Sequence, residues 1–372
     1  MSQHRKKIII SGGGTGGHIF PAVAIADALK KRLLDPDILF IGARGRMEME
    51  KVPAAGYPIE GLWISGLQRR LTLKNLTFPF KLISSMWKAR QIMKRFKPDV
   101  AIGTGGYASG PMLRVASIKG IPSLIQEQNS FPGITNRLLG KTVDTVCVAF
   151  DGMEKYFPSA RMVFTGNPVR QEIINMQGNS AEAAGFFGIR PDLKTILVIG
   201  GSQGARSVNR AISSMISPLL GTNVQLVWQC GKSFMEEAHK ARNTLSEDQA
   251  GRVKVFDFIS RMDLAYTVAD IVISRAGAIA ISELCIAGKP VILVPLPSAA
   301  EDHQTRNARS LEEKDAAIMV PDSQMNEELL PALKALLDDP GKREQMGSNI
   351  RLLARPEATE KIVDEVIKLL EK

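Results

Sequence analysis

The chain has 372 residues, 44% of them apolar and 23% charged, which is ample material for two packed cores. No run approaches the roughly 18 apolar residues of a membrane span, and the N-terminal MSQHRKKIIISGGG lacks the apolar stretch of a signal peptide. A cytoplasmic α/β protein is therefore expected. The net charge of +10 is uneven: residues through Arg161 carry 24 Lys and Arg against 11 Asp and Glu, and nine cations with no anion lie between Glu60 and Asp99. A patch of that kind seeks nucleic acid, an anionic lipid surface or a phosphorylated ligand. Cys147, Cys230 and Cys285 sit far apart in apolar segments and read as buried thiols, not as a disulfide framework or a metal site.

Apolar runs alternate with helical patterns from the start. Lys7–Ile10 reads as a strand, followed by a helix entered near Pro21. Strands follow at Ile38–Ile41 and Ile59–Ile64, a long helical pattern at Asn75–Phe96, and strands at Val100–Ile102, Ser123–Ile125 and Thr145–Ala149. Within the long pattern, Leu82, Ile83, Met86 and Trp87 fall at helical spacing and are expected to face a core, leaving Lys88, Arg90, Lys94 and Arg95 outward. The preceding Leu71–Phe80 is the expected lipid-touching segment. After the glycine-proline segment Phe164–Arg170, strands restart at Lys194–Ile199 and continue at Val224–Trp228, Val253–Phe256, Ile271–Ser274 and Val291–Pro295. Strand-helix alternation means parallel β-α units, and its restart means two doubly wound domains.

Three strands run into glycines: Ser11-Gly12-Gly13-Gly14-Thr15-Gly16-Gly17-His18, Gly103-Thr104-Gly105-Gly106-Tyr107 and Gly200-Gly201-Ser202-Gln203-Gly204-Ala205. In open α/β sheets ligands sit outside the carboxyl ends of the strands, where glycines let backbone N–H groups approach an anion. The first turn satisfies G-x-G-x-x-G through Gly12, Gly14 and Gly17, but a dinucleotide fold also needs an acid at the end of the second strand. Here that strand runs into Gly42-Ala43-Arg44. His18 beside the glycines suits a reacting group better than a pyrophosphate. In the second half, Ser274-Arg275-Ala276-Gly277-Ala278 leaves a strand and enters a helix able to receive a diphosphate, with Glu283 six residues past Gly277 as a candidate partner for a diol.

These segments, together with Gln126-Glu127-Gln128-Asn129, Gly166-Asn167-Pro168-Val169-Arg170 and His303-Gln304 with Asn307, resemble the MurG family of bacterial glycosyltransferases. The seven co-linear motifs run from about residue 7 to residue 307. The resemblance implies an α/β fold of the GT-B type, two Rossmann-like domains facing a cleft: residues 1–164 for the acceptor and membrane, residues 165–351 for the donor, with a helix at about 352–372 returning to the first. It implies inverting transfer of N-acetylglucosamine from UDP-N-acetylglucosamine to lipid I, undecaprenyl-diphosphoryl-N-acetylmuramoyl-pentapeptide, to give lipid II, with no cofactor and no catalytic metal. The only D-x-D, Asp35-Pro36-Asp37, falls in a turn before a strand. The expected location is peripheral, on the cytoplasmic face of the inner membrane, with cell-wall synthesis and division proteins as partners and no nucleic acid.

Carried over by position, Arg170 and Ser202 meet the diphosphate or its surroundings, Ile259 lies against uracil, Ala278 and Ile279 begin the diphosphate-binding helix, and Glu283 takes the ribose hydroxyls. Asn129, Gln304 and the Thr15-Gly16-Gly17 turn contact the sugar, while Gly105, Gly106 and Tyr107 belong to the acceptor. Ala280 stands where the family often has Thr, and Ser282 is the nearby alternative hydroxyl. An attacking hydroxyl needs a base and the departing diphosphate needs positive potential. His18 is the leading base and Glu127 the second, each with a purely structural alternative, and Tyr107 either positions the acceptor or packs inside. Two other readings compete. Another two-domain UDP-sugar protein, such as a UDP-N-acetylglucosamine 2-epimerase, is opposed by the His18 and Tyr107 motifs. A nucleic-acid-binding protein is opposed by the lack of any such motif.

Overall fold

The computed structural model describes residues 5–66, 77–176, 178–200 and 204–372. Its contacts gather into two compact units, Met1–Val169 with Pro356–Lys372, and Arg170–Arg355.

The first unit is a parallel sheet of β1 (Lys7–Gly12), β2 (Asp37–Ala43), β3 (Ile59–Leu62), β4 (Val100–Gly105), β5 (Ser123–Glu127), β6 (Thr145–Val148) and β7 (Met162–Phe164), in the order β3-β2-β1-β4-β5-β6-β7. Strand order reverses between β1 and β4, so their carboxyl ends open a crevice there. Helices α1 (Gly16–Arg32), α2 (Glu48–Ala54), α3 (Phe78–Phe96), α4 (Ser109–Ile118) and α5 (Ile134–Leu139) connect these strands. The run Ile8-Ile9-Ile10 is apolar throughout because both faces of the sheet are covered. Ile8 and Ile10 pack with Ile25 and Leu29 of α1 and with Ile362, Val363 and Val366 of the C-terminal helix Ala358–Leu370. Ile9 packs with Ile92 and Met93 of α3 and with Met112 and Leu113 of α4. Each such isoleucine is fully buried, a stabilisation of about 1.5–3 kcal/mol apiece. Arg32 of α1 also pairs with Glu360 and Asp364 of the C-terminal helix, at 3.1 and 3.0 Å.

The structure corrects the reading of α3. Its buried positions are Ser85, Ala89, Ile92 and Met93. Ile83 and Trp87 are 68% and 62% exposed, as is Phe80 at 70%. Small Ser85 and Ala89 bring the helix close to its neighbours, with Ser85 Oγ donating to the Trp63 carbonyl at 3.0 Å, and the larger side chains at 80, 83 and 87 fall on the opposite face. Two of the cations expected outward are committed to the protein: Lys88 donates to the Gly61 carbonyl at 2.9 Å, and Arg95 pairs with Glu60. Of the expected lipid-touching segment, residues 71–76 lie outside the described residues.

The second unit repeats the plan with six parallel strands, β8 (Lys194–Ile199), β9 (Val224–Gln229), β10 (Val253–Phe256), β11 (Ile271–Ser274), β12 (Val291–Leu293) and β13 (Ile318–Met319), ordered β10-β9-β8-β11-β12-β13. The helices used below are α6 (Arg206–Leu220), α7 (Met262–Val268), α8 (Ala278–Ala287) and α9 (His303–Glu312). Both units tie down the amino end of their switch point in the same way. Asp99 accepts the Lys7 N–H at 2.7 Å in the first, and Asp270 accepts the Thr195 N–H at 2.8 Å in the second. Cys147, Cys230 and Cys285 are free and buried, and burial pushes the Cys230 and Cys285 thiols up to about 11 and about 12.

Candidate functional site

In the first unit the glycine turns after β1 and β4 touch because their strands are neighbours. The Gly13 N–H donates to the Gly105 carbonyl at 3.3 Å. A Cβ on Gly106 would lie 2.2 Å from the Gly13 oxygen, and one on Gly105 would lie 2.7 Å from the His18 ring. With φ of +101° and +86°, Gly105 and Gly106 also hold a conformation L side chains rarely adopt. Thr15 is the N-cap of α1 and makes no side-chain cap bond, Gly16 and Gly17 open the helix, and His18 is its third residue. The first turn of α1 carries no acid, so its amides and dipole present positive potential. Tyr107 is 46% exposed, its ring lying over Gly66, where a Cβ would sit 2.2 Å from it.

The His18 Nδ1 lies 2.9 Å from the Thr104 carbonyl oxygen and 3.0 Å from Gln128 Oε1, two acceptors. In the neutral ring Nδ1 therefore carries the proton and Nε2 is the basic nitrogen. Gln128 is itself oriented: its Nε2 donates to the Thr104 carbonyl at 2.6 Å and to the Gln126 side-chain oxygen. Gln126 Nε2 then donates to Asn167 Oδ1 at 2.8 Å, and Asn167 Nδ2 to the Gln128 carbonyl at 3.0 Å. Gln126, Gln128 and Asn167 are all buried. A buried network of this kind fixes the ring only because each member has a partner.

Glu127 is 2% exposed and acts as an acceptor hub. It takes the Asn129 N–H at 3.0 Å, Asn129 Nδ2 at 3.2 Å and Asn136 Nδ2 at 2.8 Å. Burial pushes its carboxyl up, and the amide donors pull part of the way back. The carboxylate thus fixes half-buried Asn129 and the start of α5.

In the second unit α8 begins at Ala278 after the N-cap Gly277, with no side-chain cap and no acid in the first turn. Ala278 is buried and Ile279 half-buried at this amide-rich end. Ser282 Oγ donates back to the Ala278 carbonyl at 3.0 Å. Glu283, buried, holds two partners, Arg170, which the sequence reading gave a separate role, and Tyr266, which it gave none. Arg170 grips it bidentately, Nε to Oε1 at 2.9 Å and a terminal nitrogen to Oε2 at 3.1 Å, and the Tyr266 hydroxyl of α7 donates to Oε2 at 3.2 Å. Burial opposes the Arg170 charge, but the bonds and field of Glu283 outweigh it and hold the guanidinium protonated. Burial and the Glu283 charge together push Tyr266 well up. Ile259 is buried and its N–H goes to Gln229 Oε1 at 3.0 Å. Gln304 Oε1 accepts the Leu296 N–H at 2.9 Å, so its amide NH₂ is the end that remains for a ligand. Arg275, 8% exposed, braces the unit by donating to Asp322, to Ser207 Oγ and to the Val294 and Pro295 carbonyls, and Asn307 ties α9 to the Ala276 carbonyl at 3.3 Å. Ser202 lies outside the described residues.

Sequence reasoning assigned no role to Glu48, Gln128, Asn167 or Tyr266. Gln128 and Asn167 lay within recognised motifs. Glu48 and Tyr266 carried no signal, because only the tertiary fold brings them to the site.

Two parallel, doubly wound sheets, each with a polar cluster at the carboxyl ends of its strands, define a protein of the two-Rossmann class, and the family matches make it a glycosyltransferase. Residues 8–148 match the glycosyltransferase family 28 N-terminal domain and residues 195–362 the glycosyltransferase family 28 C-terminal domain. The chain is 53% identical over 365 residues, 98% of both lengths, to the UDP-N-acetylglucosamine--N-acetylmuramyl-(pentapeptide) pyrophosphoryl-undecaprenol N-acetylglucosamine transferase of Flavobacterium psychrophilum. It is 51% identical over 364 residues, 98% of this chain and 97% of the relative, to the protein of the same name from Cytophaga hutchinsonii. The crystal structure of Acinetobacter baumannii MurG superposes with a TM-score of 0.79 at 31% identity, covering 98% of this chain and 99% of that one. The chain belongs to glycosyltransferase family 28 and, within it, to the MurG family. A UDP-GlcNAc 2-epimerase from Neisseria meningitidis shares the fold alone, with a TM-score of 0.65 at 15% identity over 98% of this chain and 100% of that one.

Proposed function

We propose that this protein transfers N-acetylglucosamine from UDP-N-acetylglucosamine to the muramoyl hydroxyl of undecaprenyl-diphospho-muramoyl-pentapeptide, with inversion. The observation that carries the reading is identity near one half, along 98% of this chain and 97–98% of each relative, to transferases of that name. The second unit holds the donor. The amides at the start of α8 receive the diphosphate, and Glu283 accepts bonds from the ribose hydroxyls through the lone pairs that Arg170 and Tyr266 leave open. Arg170 sets the orientation of that carboxylate. Gln304 and Asn129 contact the sugar, as do Thr15, Gly16 and Gly17.

The first unit holds the acceptor, at Gly105, Gly106 and Tyr107. As the hydroxyl attacks the anomeric carbon, His18 Nε2 takes its proton while the bond to the UDP oxygen breaks, and the Thr104 carbonyl and Gln128 steady the imidazolium that forms. Glu127 positions Asn129 and does not carry the proton.

Among the described residues no helix is long and apolar enough to cross a membrane. Contact with a lipid-borne acceptor falls to the exposed face of α3, where Phe80, Ile83 and Trp87 are followed at heptad spacing by exposed Arg90 and Lys94. Aromatic and aliphatic side chains enter the interface, and each cation near an anionic leaflet adds about 1 kcal/mol. The reading is therefore of a peripheral enzyme on the cytoplasmic leaflet.

The test is transfer of labelled N-acetylglucosamine from UDP-N-acetylglucosamine to a short-chain analogue of the lipid acceptor by the purified chain. A β-linked disaccharide is expected. Release of UDP with no disaccharide, or epimerisation of the donor, would overturn the reading.

A further inference from the structure

The first glycine turn has an occupant of its own. Glu48, the first residue of α2, is fully buried, and both its carboxylate oxygens meet backbone amides. Oε2 accepts the Gly14 N–H at 2.9 Å and Oε1 accepts the Ala43 N–H at 2.9 Å. Among the described residues no cation is bonded to it. The chain clears room for this side chain on two sides: a Cβ on Gly13 would lie 2.2 Å from Oε1, and one on Gly42 would lie 2.5 Å from Cγ. A buried carboxylate held, among the described residues, by two amides is a costly choice for packing alone, since an apolar residue would fill the same space without desolvating a charge. Its geometry is that of an internal anion seated on a glycine turn.

From Glu48 a short chain of contacts reaches the reacting groups. The carboxylate fixes Gly14, whose φ of +87° leaves that backbone no side chain to hold it. Gly13 then bonds to Gly105, and its carbonyl packs on Gly106. Gly105 lies against the His18 ring, and Tyr107 follows Gly106 directly. We propose that Glu48 is a positioning residue for the transfer reaction, its carboxylate holding the Gly13–Gly14 turn so that the Gly105–Gly106 turn, His18 and Tyr107 keep their mutual placement.

This inference rests on the transferase reading above, and two variants test it. Glu48→Gln keeps the side-chain volume but sets an NH₂ against one of two backbone N–H groups. Gly42→Ala leaves Glu48 intact and displaces its stem, at a position whose backbone conformation tolerates alanine. Each should lower kcat toward the acceptor by about tenfold or more while the affinity for UDP changes less than about twofold, since the groups assigned to the diphosphate and ribose lie in the other unit. Glu48→Gln should also shift the His18 imidazole signals in the NMR spectrum of the full-length protein. A purely stabilising Glu48 would lower the melting temperature and leave kcat per folded enzyme and the His18 signals as in wild type in both variants, which would overturn the proposal. A wild type without transferase activity would instead sink the transferase reading, and the His18 signals would still report on Glu48.

Discussion

The two units share one plan and use their carboxylates in opposite ways. Both sheets place a glycine-bearing turn and a polar cluster at the carboxyl ends of their strands, and both anchor the amino end of the switch point with an aspartate. In the first unit the nearby acid, Glu48, is turned onto backbone amides and fully buried. In the second unit the acid, Glu283, is clamped by a guanidinium and a phenol, and the neighbouring helix start carries no acid of its own. Under the proposed reading, the contrast divides the reaction between the two units. An open helix amino end with an oriented carboxylate suits a nucleoside diphosphate, whereas a glycine turn already holding an anion frames an imidazole for proton transfer.

The largest expected effect breaks the first unit's half of this division. His18→Ala should lower kcat by roughly two to four orders of magnitude with UDP affinity unchanged, measured by steady-state transfer and calorimetry. A near-normal kcat would remove the base assignment. Breaking the second unit's half comes next. Glu283→Ala loses charged hydrogen bonds worth about 1.5–3 kcal/mol each, so the KM for UDP-N-acetylglucosamine should rise about ten- to a hundredfold. The variant should also distinguish UDP from deoxy-UDP poorly. Equal binding of the two by wild type would contradict the ribose contact.

Smaller effects sharpen the comparison. Ile83→Ser with Trp87→Ser, and separately Arg90→Glu with Lys94→Glu, should each reduce sedimentation with anionic vesicles severalfold and leave UDP binding alone. Binding by wild type that ignores both lipid charge and salt would count against the α3 surface. The smallest effect is on stability. Burial holds the Glu127 carboxyl above its ordinary range, so the folded state binds that proton more tightly than the unfolded one. Its contribution is greatest below the unfolded pKa and is lost as pH rises through the folded one. Denaturant titrations should therefore show wild type losing stability relative to Glu127→Gln as pH is raised from the acidic side toward neutrality, and a gap independent of pH would contradict this.

Much of this was legible in the sequence because it is written locally. Ile8-Ile9-Ile10 before Gly12, and Ile271–Ser274 before Gly277, announce strands of a doubly wound sheet ending in ligand turns, and both sheets follow that pattern. The face that α3 buries was not legible. Its large side chains at 83 and 87 share a helical period with the small Ser85 and Ala89, and periodicity alone does not say which stripe meets the core. The link between Arg170 and Glu283 spans 113 residues, and Glu48 reaches Gly14 across 34, so neither has a local pattern to betray it. Glu127 read as a second candidate base with a structural alternative; its partners Asn129 and Asn136 lie only two and nine residues away, but the sequence does not say that their amides turn onto the carboxylate.

The division of labour is tested most directly by a double-mutant cycle on His18→Ala and Glu283→Ala, with kcat and UDP affinity measured for all four proteins. Independent roles predict that the double variant has the kcat loss of His18→Ala and the UDP affinity of Glu283→Ala, the two effects adding within about 0.5 kcal/mol. If His18→Ala alone weakens UDP binding as much as Glu283→Ala does, the two units do not divide the reaction in this way.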